Sequence, residues 1–270
     1  MNNKHMIALD LDGTLLNDDK VISSKTKAIL GRLKEAGHEI VIATGRPNRG
    51  SINYYNELAL RTPKINFNGA LVHKPYSSDF NEIHMPLDIN KALDLIRDIE
   101  NIGINNIITE IKDHVYISNK DFLHDQLVKM GNPKIQVGPI RQNLGDHPTS
   151  ILVSYRENEY GLIRNYLEEN HSSWIEHRHW GAPFNIIEII KTGINKAYGL
   201  KIVADHLGVE HNNIIAFGDE DNDLEMIKFA GIGVAMGNAI PELKSCADII
   251  TKTNNEDGIA NALEEIFENI

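Results

Sequence analysis

The 270 residues carry 27 lysines and arginines against 38 aspartates and glutamates, a formal net charge of −11. Such a balance gives nonspecific binding to nucleic acid or anionic membrane no driving force, so any phosphate site has to be local. Hydrophobic residues at 41% and charged residues at 24% describe a packed soluble protein with room for a core domain and a smaller unit, and the single Cys246 excludes an internal disulfide or a CxxC metal ribbon and fits a reducing, cytoplasmic setting.

In chain order, HMIALDLD is a short apolar strand, and its Asp10 and Asp12 interrupt the run before a signal-peptide core or membrane span is complete. Ser23 or Ser24 opens SSKTKAILGRLKEAG, in which Ile29, Leu33 and Ala36 recur at helical spacing before Gly37 stops it. HEIVIATG follows as a β-branched strand, and Pro47 stands where a helix can begin. KINFNGALV and a hairpin-like stretch towards EIHMPL complete a βαβ opening.

A second block begins near Asp88, a cap for INKALDLIRDIENIG, and runs through NNIITEIKDHVYIS, a helix around FLHDQLVKM, TSILVSY, the helical ENEYGLIRNYLEEN and the strand-like SWIEHRH. Its loops hold Gly131-Asn132-Pro133, Gly138-Pro139 and Asp146-His147-Pro148, the turn chemistry of an α+β unit. Residues 84–186 therefore read as an inserted domain, leaving 1–83 and 187–270 as the core. The closing block returns to the opening grammar: INKAYGLKIVADHLG is helical, NNIIAFGD is a strand ending on an acid, DNDLEMIKFA is a helix, GIGVAM a strand and GIANALEEIF a helix. Right-handed βαβ crossovers with helices on both faces predict an α/β fold with a doubly wound parallel sheet and a smaller second α+β domain.

Three strands end alike, in IALDLDG, EIVIATG and IIAFGD. Ligands of doubly wound sheets gather beyond the carboxyl ends of strands, so Asp10, Asp12, Thr44 and Asp219 are expected in one crevice. Strand alternation would set Asp10 and Asp12 on one side, where their charges repel unless a cation lies between them or one keeps its proton. Oxygen-only ligands and a third carboxylate from Asp219 favour Mg²⁺. The alternative is an Asp12-Gly13 turn capped by Asp10.

Thr44-Gly45-Arg46-Pro47 places a hydroxyl and a cation before an expected helix N-terminus, a setting that suits phosphate and equally suits plain N-capping by Thr44. Lys196 follows the N-cap candidate Asn195, where the helix dipole disfavours a cation by about 0.3–1 kcal/mol; a bound anion would remove that conflict, while an exposed lysine is the ordinary reading. In GDEDNDLEM, acids suit the first turn of a helix. An EF-hand fails there, because Leu224 stands for the turn glycine and Ala230 for the bidentate acid. No GxxxxGK[ST] loop, GxSxG elbow or HExxH pair is present. His177, Arg178, His179 and Trp180 form a possible recognition cluster.

Taken together, DLDGT at 10–14, ATGRP at 43–47, Lys196 in GINKAYGL and GDEDND at 218–223 resemble, in order, the motifs of the haloacid dehalogenase superfamily of phosphohydrolases, and most of all its Cof-type members. The resemblance spans both core segments and implies a Rossmann-like core with an inserted α/β cap. It implies that Asp10 attacks phosphorus to form an aspartyl-phosphate and that Asp12 protonates the leaving alcohol and then activates water. It further implies Mg²⁺ held by the Asp10 carboxylate, the Asp12 main-chain carbonyl and Asp219, with Asp223 acting through water. Thr44, Lys196 and Asn222 would bind the phosphoryl oxygens, and Gly45, Arg46 and Asn68 would border the substrate. The implied substrate is a small phosphorylated metabolite such as a sugar phosphate or nucleotide, selected by a cap in which residues 177–184 are the expected specificity loop. Two rivals remain at this stage: a phosphomutase, and a noncatalytic phosphometabolite-binding protein. Neither the leaving group nor the oligomeric state has a signature in the sequence.

Overall fold

The computed structural model describes residues 4–104, 106–119, 130–180 and 185–267. The opening strand β1 (Met6–Leu9) is buried throughout and leads through a long connection of successive turns to helix α1 (Ser24–Glu35). Ser23 caps that helix by accepting a hydrogen bond from the Thr26 amide, and Ile29, Leu30 and Leu33 face the core. Strand β2 (Glu39–Ile42) follows, and beyond it the expectation of a helix opening at Pro47 is not met. Asn48–Gly50 makes a single 3₁₀ turn instead, because Asn48 Nδ2 and the Arg49 amide are both drawn to the Asp113 carboxylate. The helix, α2 (Ile52–Glu57), starts five residues later than Pro47. Strands β3 (Lys64–Asn66), β4 (Leu71–His73) and β5 (Ile83–His84) form the small three-stranded sheet that the hairpin-like stretch suggested.

The inserted part contains helix α3 (Ile89–Asn101), capped by Asp88 through the amides of Asn90 and Lys91, then β6 (Ile107–Ile111), β7 (His114–Ile117) and β8 (Lys134–Val137). Short helix α4 (Ile140–Asn143), β9 (Ser150–Ser154), helix α5 (Tyr160–Asn170), β10 (Ile175–His179) and β11 (Ile186–Lys191) complete it. These strands form a six-stranded mixed sheet in the order β10-β11-β9-β6-β7-β8, and only β7 and β8 are parallel. The expected helix around FLHDQLVKM falls almost wholly outside the described residues.

The chain then gives helix α6 (Lys196–Leu207), β12 (Ile214–Gly218), α7 (Leu224–Phe229), β13 (Ile232–Ala235), α8 (Pro241–Cys246), β14 (Ile249–Ile250) and α9 (Gly258–Ile266). The main sheet is five-stranded and wholly parallel, ordered β14-β13-β12-β1-β2. Succession runs outward from β1 to β2 on one side and from β12 to β14 on the other. The order thus reverses between β1 and β12, whose carboxyl ends carry Asp10 and Asp219.

The chain divides into two compact units, one of residues 1–46, 51–83 and 195–270, the other of 47–50 and 84–194. The second unit reaches beyond residue 186, where the sequence set its edge. Strand β11 pairs with both β9 and β10, and its Ile187 and Ile189 are part of a core with Leu95, Ile151 and Ile163. The first unit has its own core, centred on β1, β2 and β12. Among the described residues no helix is long and apolar enough to cross a membrane.

Candidate active site

Strand β1 ends at Leu9, so Asp10 and Asp12 both lie beyond it rather than along one strand face. The Asp10 amide still donates to Phe217 of β12, at 3.2 Å, and this aims the buried Asp10 carboxylate into the switch-point crevice. The chain then turns back: Leu15 N donates to Asp10 O and Leu16 N to Leu11 O, while Gly13 takes φ +75°. A side chain at Gly13 is excluded by space as well as by φ, since its Cβ would stand 2.1 Å from Asp219 Oδ2.

Lys196 organises the crevice. It is wholly buried in the first turn of α6, with Asn195 capping the helix through the Tyr198 amide, and its Nζ lies 2.5 Å from Asp10 Oδ1 and 2.7 Å from Asp223 Oδ1. The exposed-lysine reading therefore does not hold, and the macrodipole conflict is settled by two carboxylates. Asp223 uses its other oxygen to accept from the amides of Asp219 and Glu220, at 2.9 and 3.1 Å. Asp219 Oδ1 in turn accepts from the Thr14 hydroxyl at 2.6 Å.

One oxygen from each of Asp10, Asp219 and Asp223 lies within 4.8 Å of the others, and all three residues are buried. Three carboxylates share one ammonium, and the strain shows in their acidity. Burial, only partly offset by Lys196, raises Asp10 from an ordinary 3.8 to about 7, with Asp223 adding to the rise. Burial and the Asp10 charge raise Asp219 to about 8 against the opposing Thr14 hydrogen bond. For Lys196, burial works against the charged form, but the charges of Asp10 and Asp223 outweigh it and the pKa rises. A compact, all-oxygen donor set with excess negative charge fits a hard divalent cation.

Asp12 sits apart from that triad. Its carboxylate is forked by Arg46, with Nε–Oδ2 and NH2–Oδ1 both at 2.6 Å, and Lys20 Nζ reaches Oδ1 at 2.9 Å. Burial tends to raise its pKa, yet the hydrogen bonds and charges of Arg46 and Lys20 prevail and bring it down to about 2. The Asp10–Asp12 repulsion expected from the sequence is thus a minor influence, because the two side chains have different cationic partners.

The remaining expected positions have partners of their own. The buried Thr44 hydroxyl accepts from the Arg46 amide at 3.1 Å, a local turn rather than an α-helical N-cap, and this leaves its own proton to donate. Asn222 Nδ2 donates to Asn68 Oδ1 at 3.0 Å, and Gly45 lets the backbone approach that Asn68 amide. Residues 177–179 lie in β10, whereas 181–184 are outside the described residues. Alternation splits the cluster there: His177 pairs across from Ile189 and faces Glu168 of α5, His179 stacks on Tyr160, and Trp180 donates to Glu188. Sequence reasoning gave no role to Thr14, Lys20 or Asn238. Thr14 belongs to the quoted DLDGT, but Asn238, which donates to Gly13 O at 2.8 Å, comes from a distant loop with no local signal.

A carboxylate-rich crevice at the switch point of a parallel sheet, with a buried lysine at its centre, defines a class of α/β phosphate-handling proteins. The sequence profile of the haloacid dehalogenase-like hydrolases matches residues 7–263, and the chain belongs to this family. It is 46% identical over 263 residues to the 5-amino-6-(5-phospho-D-ribitylamino)uracil phosphatase YitU of Bacillus subtilis, with 97% of each chain covered. A second B. subtilis phosphatase with the same named substrate, YcsE, is 32% identical over 260 residues, covering 96% of this chain and 94% of its own. A haloacid dehalogenase-like hydrolase from Bacteroides thetaiotaomicron superposes with a TM-score of 0.86 at 30% identity, covering 98% of this chain and 100% of that one. The protein is a phosphatase of this family and acts on phosphorylated substrates.

Two measurements follow from the triad. Carboxyls raised from 3.8 to about 7 and about 8 stabilise the ion-free fold fully below their ordinary pKa and lose that contribution as pH rises through the folded values. A divalent ion has to displace those protons, so the rise in Tm on adding Mg²⁺ should be larger at pH 8 than at pH 6. An equal rise at both pH values would contradict ligation by this triad. Thr14→Val removes the hydroxyl that orients Asp219 and should weaken the ion's apparent affinity about 10- to 100-fold, read from a thermal-shift titration.

Proposed function

We propose that the protein hydrolyses the phosphate monoester of a small phosphorylated metabolite through an aspartyl-phosphate on Asp10. The observation that carries this reading is the buried Lys196 bridge between Asp10 and Asp223, with Asp219 beside it. An Asp10 oxygen attacks phosphorus as the ester P–O bond breaks, and the departing oxygen takes a proton from Asp12. Water then attacks the phosphorylated Asp10, giving its proton to Asp12, and the Asp10–phosphorus bond breaks to release inorganic phosphate. Asp10, Asp219 and Asp223, with the Asp12 carbonyl, are the groups assigned to hold Mg²⁺, which when bound supplies positive charge to the phosphoryl oxygens.

Each remaining group has a part in this scheme. Lys196, Thr44 and Asn222 are assigned to the phosphoryl oxygens as charge shifts towards them. Gly45, Arg46 and Asn68 are assigned to the border of the substrate. The Arg46 fork and Lys20 favour ionised Asp12, the form that accepts the proton of water. Protonation of the leaving group needs the neutral form, and the negative charge of a bound phosphate raises the proton affinity of Asp12 against the pull of Arg46 and Lys20.

The second unit, an insertion with its own core, is assigned the choice of leaving group. The 46% identity to YitU makes 5-amino-6-(5-phospho-D-ribitylamino)uracil the first substrate to test, within a wider class of sugar and polyol phosphates. The single Cys246 supports a reducing, cytoplasmic setting for the reaction.

A panel of phosphorylated metabolites with Mg²⁺ should release inorganic phosphate, with kcat/KM highest for the polyol phosphate. Asp10→Asn should abolish release, and Asp12→Asn should lower kcat by about 10²- to 10⁴-fold, the span for loss of general acid–base help. Turnover by Asp10→Asn at the wild-type rate would defeat the nucleophile assignment. An isomeric phosphate ester formed without free phosphate would point to a mutase instead.

A further inference from the structure

Beside the Arg46 loop lies a polar cluster that the scheme above leaves unused. Ser51, Lys64 and Asn66 are all wholly buried. Asn66, at the end of β3, donates through Nδ2 to the Arg46 carbonyl at 2.7 Å and to Ser51 Oγ at 2.9 Å. Both amide hydrogens are thereby spent, and Oδ1 lies 3.0 Å from His73 Nε2, which fixes that ring nitrogen as a donor. Lys64 Nζ donates to the same Ser51 hydroxyl at 2.7 Å and stands 5.6 Å from the centre of the Tyr55 ring.

The two residues that Asn66 joins are not neighbours in sequence. Arg46 and Ser51 pack in the first unit, while Pro47–Gly50 between them pack in the second. The backbone thus leaves the first unit directly after Arg46 and returns at Ser51, and one side-chain amide holds both ends of the excursion. Three main-chain bonds act on the same short segment: Phe67 N to Arg46 O at 3.3 Å, Asn68 N to Thr44 O at 3.2 Å and Thr44 N to Ile65 O at 3.0 Å. The excursion itself is a 3₁₀ turn of three residues, which has little stiffness of its own.

We propose that Asn66, backed by Ser51 and Lys64, is a positioning group that holds the Arg46 main chain and through it the guanidinium fork on Asp12. A bidentate fork tolerates little displacement of the residue that carries it, since both of its bonds must stay aligned together. An aliphatic or acidic residue at position 66 cannot donate to the Arg46 carbonyl, so Asn is required for its hydrogens and not only for its size. The proposal rests on the assignment of Asp12 and Arg46 to the reacting site.

The test is a double-mutant cycle on phosphate release, with kcat, KM and Tm measured for wild type, Asn66→Asp, Arg46→Met and the double variant. Asn66→Asp preserves volume, and its added charge has the Lys64 ammonium one hydroxyl away, so the fold has a partner for it. The expected result is a fall in kcat of about tenfold or more for Asn66→Asp, within the about 10²-fold that a small misplacement can cost, with KM changed less than kcat. In the Arg46→Met background the same substitution should change kcat less than about twofold, because the residue it positions is gone. Asn66→Ala, which removes the amide without adding charge, should show the same loss of effect and covers the case in which Asn66→Asp does not fold. Equal fold-changes in both backgrounds, or a lowered Tm with kcat intact, would overturn the proposal alone. A wild-type-like Arg46→Met variant would defeat the reading of the site, and the proposal with it.

Discussion

The ammonium of Lys196 is the constraint on which the rest of the first unit depends. It is fully buried, and it touches carboxylates from two different strand ends, Asp10 after β1 and Asp223 after β12. Removing one partner from such a buried pair costs about 3–5 kcal/mol, since the other charge is then left without compensation. The helix that carries the lysine is therefore tied to the sheet by electrostatics as well as by Leu200 and Val203 in the core. Helix α6 starts where it does because Asn195 caps it through the Tyr198 amide, and that start sets Lys196 against Asp10 and Asp223.

Asp223 converts that single bridge into a rigid site. One of its oxygens meets Lys196, and the other accepts from two successive amides, so the loop after β12 closes on itself around the carboxylate. Close approach makes specific demands on the backbone. At Gly218 a Cβ would stand 2.4 Å from that of Asp223, and at Gly69 it would stand 2.2 Å from the Asn195 carbonyl, where φ is also +106°. Gly69 therefore permits the cap of α6 and the turn bearing Asn68 to occupy adjacent space. The glycines and the charges belong to one arrangement, in which each close approach sets a carboxylate against its amide or ammonium partner.

Much of this was legible in the sequence for local reasons. Apolar strand ends, each followed at once by an acid or a hydroxyl, drew attention to Asp10, Thr44 and Asp219, whereas the position of Lys196 against a helix dipole left an exposed lysine as the ordinary reading, and only its burial between Asp10 and Asp223 decides otherwise. What escaped was decided by residues far away along the chain. Asp12 turns from Asp10 because Arg46 and Lys20 claim it; Pro47 opens no α-helix because Asp113 draws the next two residues. The edge of the second unit moved to Ile194 because β11 finds its hydrogen bonds on β9 and β10. Thr14 and Asn238 flank Asp219 only once the fold has closed, and neither periodicity nor turn chemistry could assign them.

Distant partners likewise decide where the described part of the histidine-rich stretch, residues 177–180, lies in the second unit. As separate letters, His177, Arg178, His179 and Trp180 suggest one cluster, but strand alternation divides them between two faces. His177 and His179 oppose Ile189 and Ile187, which are part of the core beneath α3 and α5. Their neighbours are Glu168 and the rings of Tyr155 and Tyr160, contacts that fasten a helix to a sheet. Burial pushes the His177 pKa down despite Glu168 nearby, which favours a neutral ring packed in that layer. Arg178 and Trp180 belong to the opposite face, where Glu188 accepts from the Trp180 indole beside Ile108, Leu152 and Ile186. A buried carboxylate among aliphatic side chains is costly unless it has donors, and the Trp180 indole supplies one to Glu188.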